Sequence, residues 1–375
     1  MEAVILKFLF LEPFFGGSHR NFAEGWIANS RHTIDLLTLP ARFWKWRMRG
    51  AALYFFKKVS SLEMYDGLIV TDIMSLSDFK ALCGPSCPPA MVYFHENQIT
   101  YPLAPGESMD FQFGFTNITT ALTAERILFN SHTHFDAFFS GLPAFLRMMP
   151  EYQPKWVTEA IRSRSGVLYP GCQFPAERDA LPFSDDSQPL IIWNHRWEFD
   201  KNPEHFFDAL DAVLGRGLEF RLALLGENFQ VVPKTFISAR ERYGDRIIRY
   251  GYLESREEYI KMLRQGSVVV STATQENFGI SVIEAVRYGC FPLLPNRLSY
   301  PEIIPKSFHS DCLCNDQADL VKKLSFFIAN HSQFSKKREK LSESAGRFAW
   351  ENLISQYDEE LEKLVQSHGT RNGGA

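Results

Sequence analysis

From Val4 to Asn130 the chain alternates short apolar runs with amphipathic stretches. Val4–Leu11 reads as a first buried strand. It turns at Gly16-Gly17-Ser18 into a helix over roughly His19–Ala28. Thr33–Leu39 is a second strand, and Gly67–Thr71, Ala90–Phe94 and Arg126–Asn130 are three more. Those three end in polar residues: Thr71-Asp72, His95-Glu96-Asn97 and Asn130-Ser131. Strands that alternate with helices predict a parallel, doubly wound sheet. Ligands of such sheets bind beyond the carboxyl ends of the strands, so chemistry is expected at these polar tips.

The pattern breaks over Gln173–Gln188, which carries Pro175, Pro182 and several Ser and acidic residues without apolar periodicity. It reads as a linker. Afterwards the pattern restarts. Strands are expected at Leu190–Trp193, Phe220–Leu225, Ile247–Tyr250, Val268–Ser271 and Phe291–Leu294. Helices are expected at Pro203–Gly215, Val231–Tyr243, Ser255–Gln265 and Gly279–Tyr288, the last closed by Gly289. Trp350, Leu353, Tyr357, Leu361 and Leu364 recur at helical spacing within Phe348–Val365, and the last seven residues read as frayed. The expected domains are therefore residues 1–180 and 188–347, with the final helix, 348–366, packing back near the first.

A length of 375 residues agrees, being long for one core. With 45% apolar and 22% charged residues the chain falls in the ordinary soluble class. No apolar run approaches the roughly 20 residues that span a bilayer. Met1–Leu11 contains Glu2 and Lys7 and reads as a strand and not a secretory signal, so a cytoplasmic location is expected. Six Cys are too few for a disulfide framework in a chain of this size. The spacings of Cys83 with Cys87 and of Cys312 with Cys314 fit structural zinc patterns poorly, so free thiols are expected. A net charge of −4 means that nucleic-acid binding needs a local basic patch.

The strongest chemical signal is Gln275-Glu276-Asn277-Phe278-Gly279-Ile280, between an expected strand and helix. A helix start offers backbone N–H groups and a positive dipole end to a diphosphate. Gly279 removes a side chain where phosphate oxygens would approach. Glu276 precedes the helix, and Glu284 lies along it, placed to accept from ribose hydroxyls. Arg196 and Lys201 fall in one strand–helix loop and would neutralise a departing diphosphate without a metal ion.

Arg196…Lys201 with Glu276-x7-Glu284 resembles the signature of the retaining family 4 glycosyltransferases, which have the GT-B fold. That resemblance implies an α/β protein of two facing Rossmann-like domains with the donor in the cleft. The strings Phe15-Gly16-Gly17-Ser18-His19, His95-Glu96-Asn97-Gln98, Asp110-Phe111-Gln112-Phe113-Gly114, His195-Arg196-Trp197-Glu198 and Ser299-Tyr300-Pro301-Glu302-Ile303 resemble one subgroup, the tRNA-queuosine mannosyltransferase family. The resemblance runs from about Leu6 to Pro305. It implies mannose transfer, with retention, from GDP-mannose to queuosine in the anticodon of tRNA-Asp. It further implies that Arg196, Lys201 and the amides of Phe278, Gly279 and Ile280 cradle the diphosphate, with Asn277 in the same loop. Glu276 would hold sugar hydroxyls, Glu284 the ribose, and the loop with Tyr252 and Leu253 the nucleobase. Gly16 and Gly17 would let backbone approach the phosphates. No metal or other cofactor is implied.

On the acceptor side, His95 sits at a strand end with Asn97 and Gln98 and is expected to hydrogen-bond acceptor or sugar. The stretch Arg42-Phe43-Trp44-Lys45-Trp46-Arg47-Met48-Arg49 interleaves cations with aromatic rings. Such a mixture pairs with phosphates and stacks on unpaired bases. From the residues alone, a solvated amphipathic helix with its Trp residues packed inward fits equally, and an anionic lipid surface is a further reading. The resemblance favours RNA, contacted by Arg42, Lys45, Trp46, Arg47 and Arg49. A transferase acting on a lipid or polysaccharide acceptor and a catalytically silent RNA-binding module are the alternatives. The oligomeric state has no signature here.

Overall fold

The computed structural model describes residues 4–104, 106–174, 188–226 and 232–372. Most of the expected linker, and Val231 at the start of one expected helix, lie outside the described residues. The chain divides into two compact units, Met1–Gln173 with Phe348–Ala375, and Phe174–Arg347.

The first unit holds β1 (Lys7–Phe15), β2 (Thr33–Pro40), β3 (Gly67–Thr71), β4 (Ala90–Phe94), β5 (Arg126–Phe129) and β6 (Ser165–Val167). They form one sheet in the order β2-β1-β3-β4-β5-β6, every pair parallel. Strands covered on both faces read as continuous apolar runs because successive side chains point to opposite sides. Along β1, Phe8 and Phe10 enter one core with Trp26, Trp350 and Tyr357, while Leu9 and Leu11 enter the other with Phe55, Val70 and Phe129.

Two sequence expectations shift at β1. Val4 and Ile5 are exposed at 73% and 71%, and the strand begins at Lys7. It also continues past Leu11 to Phe15. Pairing to β3 has stopped at Leu11, and the register to β2 slips between Glu12 and Phe15, so Pro13 removes no ladder bond from a regular pair.

The final helix, Trp350–Asn372, starts two residues later than expected and stays helical through most of the segment read as frayed. Its Trp350 is clamped by backbone. A Cβ built on Gly25 would lie 2.0 Å from the indole Nε1, and one on Gly171 2.1 Å from Cδ2. Tyr357 donates from its hydroxyl to Tyr169 O at 2.8 Å. These contacts tie the helix to the first unit across nearly the whole sequence.

The second unit holds β7 (Leu190–Trp193), β8 (Arg221–Leu224), β9 (Ile247–Tyr250), β10 (Val268–Val270), β11 (Phe291–Pro295) and β12 (Leu313–Cys314). Their order is β12-β11-β10-β7-β8-β9, again all parallel. The direction of strand addition reverses between β7 and β10, the switch point at which doubly wound sheets bind ligands. All six cysteines are free thiols. Among the described residues no helix is long and apolar enough to cross a membrane.

Candidate active site

The switch point of the second unit gathers most of the expected donor residues. After β7 the chain runs through Asn194, His195 and Arg196 into a short 3-10 turn, Phe199–Lys201. After β10 it runs through Ser271–Glu276 to the helix Ile280–Arg287. The two loops are stitched together. Thr274 N donates to Asp200 O at 2.7 Å, and Thr272 Oγ1 to Asn202 O at 2.8 Å.

Lys201 is buried, with Nζ 2.8 Å from Gln275 O, 3.1 Å from Asp200 Oδ2 and 3.4 Å from Glu276 Oε2. Burial by itself lowers a lysine pKa, but the Glu276 and Asp200 carboxylates outweigh it and the pKa is raised. The ammonium is therefore a fixed charge at neutral pH. Asp200 is wholly buried beside it. Arg196 is far more accessible, its side chain 44% exposed and 3.1 Å from Glu198 Oε2.

Gly279 caps the helix in a left-handed conformation, φ 94°. A Cβ there would meet its neighbours no closer than 3.5 Å, so the backbone angle and not crowding requires glycine. Asn277 Oδ1 accepts from Gln275 Nε2, and Phe278 is buried with its carbonyl accepting from Ser299 Oγ. Glu284 is buried and gripped from two sides: Arg256 Nη2 lies 2.6 Å from Oε1 and the Tyr259 hydroxyl donates to Oε2 at 3.3 Å. Asn194 Nδ2 donates to that hydroxyl at 3.0 Å. Tyr252 is exposed and Leu253 buried in the loop between β9 and the helix Arg256–Gln265 that carries Arg256.

In the first unit the carboxyl ends of β1, β3 and β4 converge on a polar cluster. Glu12 is wholly buried. Its Oε1 accepts from Phe14 N at 2.8 Å and Thr71 Oγ1 at 3.4 Å, and Oε2 faces His19 Nδ1 at 3.3 Å. The His19 ring lies 4.1 Å from the ring of half-buried His95. Asp72 Oδ1 accepts from His95 N at 2.8 Å. The Asp72 carboxyl is pushed up to about 8 by burial, and further by Glu96. Among the described residues one set of His and carboxylate donors is close enough to share a cation: atoms of Glu12, His19 and His95, all within 4.8 Å of one another.

Gly16 is extended, φ −177°, and a Cβ there would sit 2.5 Å from Ala41 Cβ, so close packing on that residue already demands glycine. Gly17 has φ 50°, which favours glycine. Asn97 is buried, and its amide is engaged within the fold. Its Oδ1 accepts from Ile99 N at 3.0 Å and Thr100 N at 2.9 Å, and its Nδ2 lies 3.0 Å from His134 Nε2. It shapes the turn after β4. Gln98 Nε2 donates to Glu96 Oε1.

The basic stretch opens the helix Trp44–Lys58. Trp44 packs on Phe113 with ring centroids 5.1 Å apart, whereas Trp46 is 77% exposed and Phe43 69% exposed. One Trp thus packs inward and the other faces solvent. Arg42, Lys45 and Arg49 are exposed, and Arg49 Nη2 donates to Gln112 Oε1 at 2.7 Å. Arg47 is half-buried against Pro40 O; burial, then Arg42, lowers its pKa. Its role is partly structural.

Residues 7–172 match a family model described as tRNA-queuosine alpha-mannosyltransferase N-terminal, and residues 176–348 one described as glycosyl transferases group 1. A tRNA-queuosine alpha-mannosyltransferase from Drosophila melanogaster is 35% identical over 366 residues, covering 93% of this chain and 94% of that one. The chain belongs to this family.

A GDP-mannose:cellobiosyl-diphosphopolyprenol alpha-mannosyltransferase from Xanthomonas campestris is 22% identical over 48% of each chain. The sucrose-phosphate synthase structure from Thermosynechococcus elongatus superposes with TM-score 0.72 at 14% identity, covering 96% of this chain and all of that one. That likeness shows the fold, which is of the GT-B class. In this family member, sequence reasoning missed Asp200, Arg256, Tyr259 and Glu12. Glu12 stands inside the apolar run of β1, a local sign of its burial, whereas Asp200 lies in a charged stretch beside Lys201 that carries no such sign.

Proposed function

We propose that this protein transfers mannose from GDP-mannose to queuosine in the anticodon of tRNA-Asp, with retention and without a metal ion. The likeness to the fly mannosyltransferase along nearly the whole chain carries the acceptor reading. The Xanthomonas relative, named for GDP-mannose, supports the donor. The chemistry follows from Lys201, Arg196 and the start of helix Ile280–Arg287 at one switch point, a charge-neutralising set for a leaving diphosphate. Glu276 orients the sugar and Glu284 the ribose. The acceptor hydroxyl attacks from the face of the departing phosphate and passes its proton to that phosphate. Catalysis is then positioning plus charge stabilisation. His95 supplies a hydrogen bond to sugar or acceptor.

The test is mass spectrometry of queuosine-containing tRNA incubated with a panel of sugar nucleotides, alongside a polyprenyl-diphosphate acceptor. Mannosylated queuosine formed from GDP-mannose is expected. Transfer only to the lipid-linked acceptor would overturn the reading.

Two further outcomes are expected. Transfer to prefolded tRNA should survive excess EDTA, because fixed cations do the neutralising. Complete loss of activity, restored by Mg²⁺ or Mn²⁺, would rule this mechanism out. Secondly, the exposed groups of helix Trp44–Lys58 should bind RNA. Trp46→Ala should weaken tRNA binding by about 1–3 kcal/mol, the scale of one base–aromatic stack. Arg42→Glu with Lys45→Glu should flatten the dependence of log Kd on log salt by roughly 2, through lost counterion release. Those two cations are better probes than Arg47, which packs into the fold. GDP binding measured by calorimetry should stay as in wild type; a parallel loss of GDP binding would assign the helix a structural role.

A further inference from the structure

We propose that Tyr259 and Arg256 are positioning residues for the donor ribose: they fix the carboxylate of Glu284 where it accepts from ribose hydroxyls, and Asn194 sets the direction of the Tyr259 proton. The inference deepens the reading of Glu284 given above and rests on it. The helix Arg256–Gln265 opens with Ser255 as its cap, the Ser255 hydroxyl accepting from Glu258 N at 3.3 Å. Arg256 and Tyr259 are three positions apart and so share one face of the first turn. That face meets Glu284 on the helix Ile280–Arg287. Arg256 Nη2 stands 2.6 Å from Oε1, and its guanidinium lies over the Tyr259 ring, 5.5 Å from the centroid. The Tyr259 hydroxyl reaches Oε2 at 3.3 Å.

A hydroxyl both donates and accepts, so a neighbour must fix its role. Asn194 Nδ2 lies 2.7 Å from Ser281 O and 3.0 Å from the Tyr259 hydroxyl. A carbonyl only accepts, so Ser281 O decides which end of the amide is the nitrogen. Nδ2 then donates to the phenol oxygen as well, and the single phenol proton is left for Glu284. Burial, then Glu284, hold the Tyr259 pKa well above 10, which keeps that proton in place at neutral pH. Asn194 thereby joins the loop of Arg196, the first turn of the helix Ile280–Arg287 and Tyr259 in one network.

An ionised carboxylate has about four acceptor positions. Among the described residues, Arg256 takes one on Oε1 and Tyr259 one on Oε2, so each oxygen is held and each keeps a second position. The Glu284 side chain remains 9% exposed. Two fixed, adjacent oxygens suit the two vicinal hydroxyls of a ribose, the use that nucleotide-binding α/β folds make of a carboxylate.

The test is calorimetric titration of the full chain with GDP and with 2′,3′-dideoxy-GDP. Wild type is expected to bind GDP roughly tenfold to a hundredfold more tightly, the range for hydrogen bonds to a charged group. Tyr259→Phe removes one oxygen and keeps the ring under Arg256. Its preference for GDP should shrink by about threefold to tenfold, the scale of one net hydrogen bond, while its affinity for the dideoxy nucleotide stays as in wild type. Arg256→Lys should keep more of the preference than Arg256→Met, and Asn194→Ala should lose part of it. A purely structural role would lower both affinities alike and leave their ratio unchanged, and that result in Tyr259→Phe would overturn the proposal. Should Tyr259→Phe fail to fold, Asn194→Ala decides by the same ratio. Wild type binding both nucleotides equally would overturn the proposal at its base, by taking Glu284 off the ribose. That failure shows without any variant and without tRNA, so it is told apart from failure of the positioning pair and from failure of the queuosine assignment.

Discussion

Arg196→Ala is expected to lower kcat/KM for mannosyl transfer by about 2–4 kcal/mol, roughly 30- to 900-fold, with the fold intact. The first number is the scale of losing one preorganised donor to a developing negative charge. The second half of the expectation comes from exposure. The Arg196 side chain is 44% exposed and its pairing with Glu198 is a surface contact, worth no more than about 1 kcal/mol. Thermal unfolding should thus barely move while turnover collapses. Arg196→Lys should recover little, since a point charge does not reproduce a planar fork. Near-wild-type turnover in Arg196→Ala would remove the arginine from the leaving-group site.

Lys201 should behave differently. Lys201→Ala is expected to abolish transfer and also to destabilise the second unit by about 3–5 kcal/mol, because it strands a buried carboxylate without its cation. Asp200 is wholly buried and 3.1 Å from the ammonium. The lysine pKa is raised on folding, so this stabilisation is fully present below 10.5 and is lost only as pH rises through the folded value. At neutral pH the whole effect is measurable by denaturant unfolding. A double variant, Asp200→Asn with Lys201→Met, separates the two roles. It should regain most of the stability, since no unpaired buried charge remains, while transfer stays lost. If the double variant transferred mannose, the lysine would be a structural cation only.

The contrast between these neighbours shows where sequence reasoning ends. Both were assigned from one loop motif, and both lie at the switch point. Their different exposure depends on Gln275 and Glu276, 74 and 75 positions from Lys201. Strands were legible for a local reason: in a parallel sheet covered on both faces, each is a continuous apolar run, as at Leu190–Trp193 and Gly67–Thr71. The short edge strands β6 and β12 were not. Ser165–Val167 and Leu313–Cys314 are too short to carry a pattern, and pairing to a neighbour alone makes them strands.

The sequence by itself determined two α/β units, the helix start at Gly279, and the two loops that carry Arg196, Lys201 and Glu276, with Glu284 on the helix that follows. Each rests on residues close together in the chain or on a period that a local window reveals. Tertiary structure decided that Asn97 turns inward, that Gly16 packs on Ala41, that Trp46 faces solvent while Trp44 does not, and that Arg256 and Tyr259 hold Glu284. It also brought Glu12, His19 and His95 together from three segments. Whether a polar side chain faces a ligand or the fold depends on which distant groups satisfy it, and burial makes an unsatisfied group too unfavourable to leave that open.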